Sequence, residues 1–499
     1  MAEVVILGAG VSGHTAALHL SRMLGSGHAI TVVSPNSQWN WIPSNIWVGV
    51  GKMDKKQVVF PLEPIYRKKG IAFRQAKAVA IRPDGDGASD RGAVDIEYTG
   101  QGKAGQNERL RYDYLINATG PQLKFGMTPG LGPDGHSVSV CTADHAIEAD
   151  AKLKDVIATL KAGTPQTLVV GMGHGTCTCE GAAFEYVFNV DHELREAGVR
   201  DLARLIYLTN EAALGDFGVD GMTFEEQGFQ TSSELWTASL FRERGVEAIL
   251  GAHVEKVEPG QVHYETLDGE HHVLDFDFAM LLPPFGGVPL SAFDKDGNDI
   301  TSTMFAPSGF MRVDADYTVK PYEEWRGADW PTTYVSPSHP NVFAVGIAFA
   351  PPHQISRPRK SANGTVIAPS PPRTGMPSGV MGRTVAKPSR TASSTAHRRP
   401  RTRPRCPHGR RVRRLRRRRA AARLSGRDDD DARRPRLLAL PDRTRPRRHP
   451  RRDRSGRPLG QIDAPPPVHL QGQGPTRLAT HPGMTAVTTT SDPAPRRTR

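Results

Sequence analysis

No run of about 18 apolar residues occurs in the 499 positions, so no membrane-spanning helix is expected. Nor is there a charged, apolar leader at the start: the chain opens directly on EVVILGAG, and the cytoplasm is the expected location. Only four residues are cysteine, too few for a disulfide scaffold in a chain this long. Residues 387–499 lack Phe, Tyr, Trp, Glu and Asn altogether and show no periodic apolar pattern. Such a segment cannot bury enough surface to fold, and it reads as a disordered basic tail rich in Arg and Pro.

The charge is as unevenly spread as the aromatics. The formal +13 suggests a nucleic-acid binder, but 31 Arg and one Lys against eight Asp lie in residues 387–499. That tail carries about +24 and the remainder about −11, an ordinary acidic body. RRVRRLRRRR has no interleaved aromatics, so specific nucleic-acid binding is not expected. Two origins stay open for the tail. One is a basic arm for nucleic acid or anionic lipid. The other is a shifted reading frame in a GC-rich gene: KPSRTASST in G/C-ending codons, read two bases on, gives AVADGVVD. That continues GRTVA as an amphipathic helix.

In the body, Glu3–Leu7 is a short β-branched run, the mark of a buried parallel strand. GAGVSG follows, with Gly8, Gly10 and Gly13 spaced by Ala9 and Ser12, then a helix with apolar residues at Ala16, Leu20, Met23 and Leu24. AITVVSP (29–35) closes a βαβ unit. The glycines allow a tight turn and close backbone approach to a pyrophosphate on the helix N-terminus. The acid expected after the second strand is missing; Ser34, Pro35 and Asn36 stand there, so hydroxyl or amide groups would hold the ribose. A second strand and glycine loop, TLVVGMGHGT (167–176), ends on Thr176 where a dinucleotide fingerprint has glycine or alanine. The next strand, RLIYLTNE, ends at Glu211, where a ribose-binding acid could sit.

YDYLINATGP (112–121) resembles the turn of two-dinucleotide-domain flavoproteins that runs close to FAD, here Ala118, Thr119 and Gly120. HPNVFAVGIAFAPP (339–352) resembles their late strand, with Gly346 in place and Ile347 where Asp is usual. Further stretches resemble the sulfide:quinone oxidoreductase and flavocytochrome c sulfide dehydrogenase family, over residues 3 to about 386. WNWIPSN (39–45) matches a turn near the FAD, bringing in Ser44 and Asn45. SVCTADHA (139–146) carries Cys141 and His145. GTCTCEGAAFEY (175–186) carries Cys177, then Cys179 in the register of the redox cysteine and Glu185 as its nearby acid. PPRTGMPSGVMGRTVA (371–386) matches the segment lining flavin and quinone. The chain departs from the family at two places. Ala348 stands where a partner cysteine is expected, and Asp216 is offered where a histidine is expected.

The resemblance implies an α/β protein with two Rossmann-like domains, FAD-type and NAD-type. Expected boundaries are 1–120 for the first part of the FAD domain, 121–330 for the second domain, 331–386 for the return to the first, and 387–499 for the tail. It implies FAD-dependent oxidation of sulfide or a related sulfur species with quinone as acceptor, and peripheral contact at the inner membrane face if the C-terminal helices are intact. A thiol held against a flavin can pass on two electrons, and a disulfide opened by hydrosulfide stores sulfur as a persulfide. A helix N-terminus at Cys179 would lower its thiol pKa, and Glu185 would move a proton.

Plainer readings remain beside these. Cys141, Cys177 and Cys179 can be small buried hydrophobes, and Cys177–Cys179 can pair with each other. His145 can be a helix-start or surface residue. A metal at Cys-x-Cys with His174 lacks a second ligand pair, so none is expected. Two other functions stay open: a type II NADH dehydrogenase-like NAD(P)H:quinone reductase, and a non-catalytic FAD-binding protein.

Overall fold

The structure, a computed structural model, describes residues 2–226 and 228–387. The tail readings, reading frame included, and Cys406 lie outside the described residues.

Strand Glu3–Leu7 is buried at four of its five residues because it runs through the middle of a sheet. Parallel to it lie Ala29–Ser34 on one side and Tyr114–Asn117 on the other, with Leu7 opposite Val33 and Asn117. The order across the sheet is Val342–Ala344, Tyr114–Asn117, Glu3–Leu7, Ala29–Ser34, Ala72–Arg82, then the antiparallel pair Ala93–Tyr98 and Asn107–Arg111. Strand order therefore switches at Glu3–Leu7, and the crevice at the strands' carboxyl ends is where such sheets hold ligands.

A second, four-stranded parallel sheet has the order Glu247–Ile249, Ala203–Leu208, Gln166–Met172, Phe278–Leu282. A three-stranded antiparallel sheet, Ala252–Glu258, Gln261–Thr266 and His271–Asp275, packs beside it. This is the expected α/β class with parallel sheets. The return to the first sheet comes earlier than residue 331: Ser291 pairs with Ala80, and Leu290, Met304 and Met311 share a core with Val5 and Leu7. No helix among the described residues is long and apolar enough to cross a membrane.

Helix Gly375–Ala386 lies across helix Val11–Leu24. Glycine makes the crossing close: a Cβ on Gly382 would meet the Ser12 carbonyl oxygen at 2.2 Å.

Candidate active site

The first glycine loop is built around one forced backbone conformation. Gly8 has φ 95°, and a Cβ there would lie 2.1 Å from the Ala118 carbonyl oxygen. Only glycine fits that approach. Gly13 is equally tight against Gly8, whereas a Cβ on Gly10 or Gly120 would meet nothing within 4 Å. No side chain caps helix Val11–Leu24 and no acid stands in its first turn. Open glycines before an uncapped helix N-terminus fit the pyrophosphate of a dinucleotide. Gly346, φ 67°, closes the loop from the late strand, facing the Ser12 hydroxyl.

From this turn a cavity of about 340 Å³ runs toward the second sheet. Ser12, Ala118, Gly120 and Ile347 line it together with Cys141, Cys179, Glu185 and Arg373. Its walls are otherwise mainly apolar, with Ile42, Ile46, Leu123 and Phe285. Cys141, Cys177 and Cys179 are free thiols.

Cys179 sits at the start of helix Glu180–Glu196 with φ 74° and ψ 35°, left-handed for a residue with a Cβ. Its expected low pKa is overturned. Burial, then the neighbouring Glu180 carboxyl, pushes the thiol up to about 12, against the smaller lowering by Thr178 and the Arg373 backbone. Burial likewise pushes Cys141 up to about 11. The helix end cannot outweigh the loss of water around the sulfur. Glu185 lines the cavity and is exposed, yet partial loss of water around its carboxyl raises it too. Arg373 donates to the Ile347 and Phe349 carbonyls, both at 3.1 Å, and lies over Phe310 and Phe349. It thereby straddles Ala348; burial lowers it to about 10.

Other expected site residues fall elsewhere. Cys177 is fully buried outside the cavity, its thiol donating to the Leu282 carbonyl at 3.1 Å, so it is a core residue. His145 stands edge-on to Phe125 away from the cavity lining, its ring nitrogen Nδ1 buried and without a partner among the described residues. Asn45 is buried, its amide donating to Asn40 and to the Val140 carbonyl, so it brackets loops together. Ser44 is buried beside it. Thr119 donates back to Asn117 Oδ1 at 2.9 Å. Ser34 is buried at its strand end, the Pro35 carbonyl accepts from Thr99 at 2.8 Å, and Asn36 is exposed. Ala9 is buried in the turn. Asp216 lies apart from the cavity lining, accepting from Gly218 N and the Ser356 hydroxyl.

The second glycine loop meets different surroundings. Gly175 N donates to His253 Nδ1 at 3.0 Å and Thr176 N to His174 Nδ1 at 3.2 Å. Ala368 N donates to the Gly175 carbonyl at 2.9 Å, and a Cβ on Gly175 would meet the Val366 carbonyl oxygen at 2.7 Å. The place of a phosphate is filled by the chain itself. Glu211 is no ribose ligand either: it is buried, accepting from Tyr207 at 3.0 Å, Thr209 at 2.9 Å and Phe217 N at 2.7 Å.

The profile of the pyridine nucleotide-disulphide oxidoreductases matches residues 2–297. The chain belongs to that family. It is 30% identical over 352 residues to the sulfide-quinone reductase of Aquifex aeolicus (strain VF5), spanning 70% of this chain and 69% of that one. The X-ray structure of the sulfide:quinone oxidoreductase from Aquifex aeolicus aligns with TM-score 0.59 and 27% identity, over 77% of this chain and 76% of that one. The sulfide:quinone oxidoreductase group is therefore its place in the family. An external alternative NAD(P)H-ubiquinone oxidoreductase of Solanum tuberosum is 25% identical over 282 residues, 54% of this chain and 45% of that protein.

In this oxidoreductase, sequence reasoning passed over two residues at the site. Arg373 lay inside a motif already noted, but nothing marked it as the cavity's buried cation. Glu180 lay unremarked inside GTCTCEGAAFEY, and only the fold shows it fully buried.

Proposed function

We propose that the protein is an FAD-dependent oxidoreductase that takes electrons from sulfide or a related sulfur species and delivers them to quinone. The observation that carries this reading is the convergence of Cys141, Cys179, Glu185 and Arg373 on one cavity that begins at the open glycine loop. FAD, when bound there, supplies a two-electron acceptor for thiol chemistry and a donor to quinone. Gly8, Gly10 and Gly13 would hold its pyrophosphate, with Thr119, Gly120 and Gly346 beside the rest.

With Ala348 in place of a cysteine, Cys141 is the partner that shares the cavity with Cys179. A Cys141–Cys179 disulfide opened by hydrosulfide leaves a persulfide on one sulfur and a thiolate on the other. Both thiols resist ionisation, so a base is needed; Glu185 reaches the cavity, and loss of water raises its carboxyl above the usual carboxylate value, which favours its holding a proton. Arg373 offers a positive charge to the anionic sulfur. At the other edge Ile42, Met376 and Val380 are exposed apolar residues around Pro43 and Gly375, a surface suited to a quinone and to the membrane that carries it.

The filled second loop argues against NAD(P)H as donor. The test is anaerobic addition of sulfide to the FAD-loaded chain, following flavin absorbance, for the native protein and Cys179→Ser and Cys141→Ser. Bleaching lost in both variants supports the thiol pair; bleaching kept in Cys179→Ser removes that cysteine from the reaction. No bleaching in the native chain would favour a non-catalytic FAD-binding protein.

A further inference from the structure

The three-stranded sheet Ala252–Glu258, Gln261–Thr266 and His271–Asp275 carries metal-ligating side chains that the thiol cavity does not use. His253 pairs with Glu265, and Glu265 with His271, so the three stand in a row across one face. The register shifts between Val254 and Lys256, which makes Glu255 the extra residue of a bulge. A bulge re-aims a side chain, and the Glu255 carboxylate reaches His271, with Oε2 3.0 Å from Nδ1. One ligand atom each from Glu255, Glu265 and His271 lie within 4.8 Å of one another. His253 turns instead to the second glycine loop, accepting from Gly175 N at 3.0 Å.

The charges at this place do not balance. Glu265 is 2% exposed, yet among the described residues no Lys or Arg forms an ion pair with it or with Glu255, whose partner is His271. Two neighbouring carboxylates therefore share a single imidazole. Buried charges are normally paired with a cation or bound to a metal. Glu265 is also held in a fixed orientation: Thr365 Oγ1 donates to Oε2 at 2.6 Å and Asn363 Nδ2 to Oε1 at 3.2 Å. A carboxylate oxygen has two lone pairs, so each keeps one for a further partner. Outer donors of this kind orient the carboxylates of metal sites.

We propose that Glu255, Glu265 and His271 bind one divalent transition-metal ion of the zinc class. Oxygen ligands alone would suit Mg²⁺ or Ca²⁺, whereas an imidazole among carboxylates favours Zn²⁺. Two carboxylates and a neutral imidazole balance its charge, and water takes the remaining position.

The ion fastens more than the sheet. Thr365 and Asn363 lie in the turn of the hairpin Arg359–Lys360 and Val366–Ile367, so Glu265 joins the sheet to that hairpin. The segment beyond it ties down the second glycine loop: Ala368 N donates to the Gly175 carbonyl and Ser370 N to the Cys177 carbonyl, both at 2.9 Å. The same segment then places Arg373 in the cavity wall. The site is a clamp at the root of this segment, and binding there needs neither flavin nor sulfide.

The test is calorimetric titration of the metal-stripped full chain with Zn²⁺, repeated for His271→Ala and Glu255→Gln. Both side chains are at the surface, 59% and 36% exposed, so the variants should fold. The expected result is one equivalent bound by the native chain that each variant loses or binds about tenfold or more weakly. The rise in unfolding temperature that Zn²⁺ gives the native chain should shrink in both. Zinc held by thiols or by other histidines would persist in the variants, so equal uptake by all three chains overturns the proposal. No uptake by the native chain, or displacement of Zn²⁺ by Mg²⁺ at equal concentration, overturns it as well.

Discussion

Two glycine loops of similar sequence, GAGVSG and GMGHGT, meet opposite surroundings. The first leads into a helix start without a side-chain cap and opens on a cavity. The second has its Gly175 amide engaged by His253 and its Gly175 carbonyl by Ala368. A glycine pattern thus specifies a backbone turn but not what occupies it; the occupant is decided by residues far along the chain. One loop stands open at a helix start and a cavity, and the other is tied into the scaffold.

The sharpest way to break this contrast is one methyl group in each loop. Gly8→Ala combines a positive φ with a collision against backbone at 2.1 Å, and about 3 kcal/mol of strain is expected. The purified chain should lose its flavin absorbance or fail to fold. Gly175→Ala meets Val366 and His253 atoms at 2.7 and 2.9 Å, so it should lower stability by roughly 1–2 kcal/mol and keep the flavin. Flavin retained in the first variant and lost in the second would reverse the assignment.

The next largest effect concerns the thiols. Cys179→Ser should slow sulfide-driven bleaching by about 100-fold or more, as loss of a covalent participant implies. Cys177→Ser, in the core and bonded to Leu282, should cost about 1 kcal/mol in urea unfolding and leave that rate unchanged.

Much of the first loop was legible because its rules are local: a β-branched strand, three glycines and a helix lie within residues 3–24, and the Ala118–Gly120 turn has its own short pattern. Resemblance also singled out Cys179, Cys141 and Glu185, which the fold brings to one cavity. Burial was not legible. Cys177 and Cys179 are two residues apart, yet one meets Leu282 and the other the cavity. Asn45 looked like a cofactor contact because nothing near it in sequence reveals Val140 as its partner. Glu211 sits where a ribose-binding acid belongs, and only Tyr207, Thr209 and Phe217 closing on it exclude that role. The Cys179 pKa was misjudged for the same reason: a helix dipole can be read from a motif, but loss of solvent cannot.

A smaller effect separates the buried acid from a nucleotide ligand. Glu211 is raised from 4.5 to about 7 in the folded protein. Its stabilising proton linkage is complete below about pH 4.5 and is lost as pH rises through 7, at most about 3 kcal/mol in all. Urea unfolding of the native chain should therefore show stability falling between pH 4.5 and 7, and Glu211→Gln should flatten that slope. An unchanged slope would mean that Glu211 is not the buried acid described.

The most direct test of the contrast between the loops is to present both electron donors, separately and without oxygen, to the FAD-loaded chain. Sulfide should bleach the flavin within the mixing experiment, and NADH at equal concentration should leave the spectrum unchanged, if the thiol cavity is the entry for electrons as proposed and the amides of the second glycine loop stay engaged within the chain. Bleaching by NADH with none by sulfide would contradict the account.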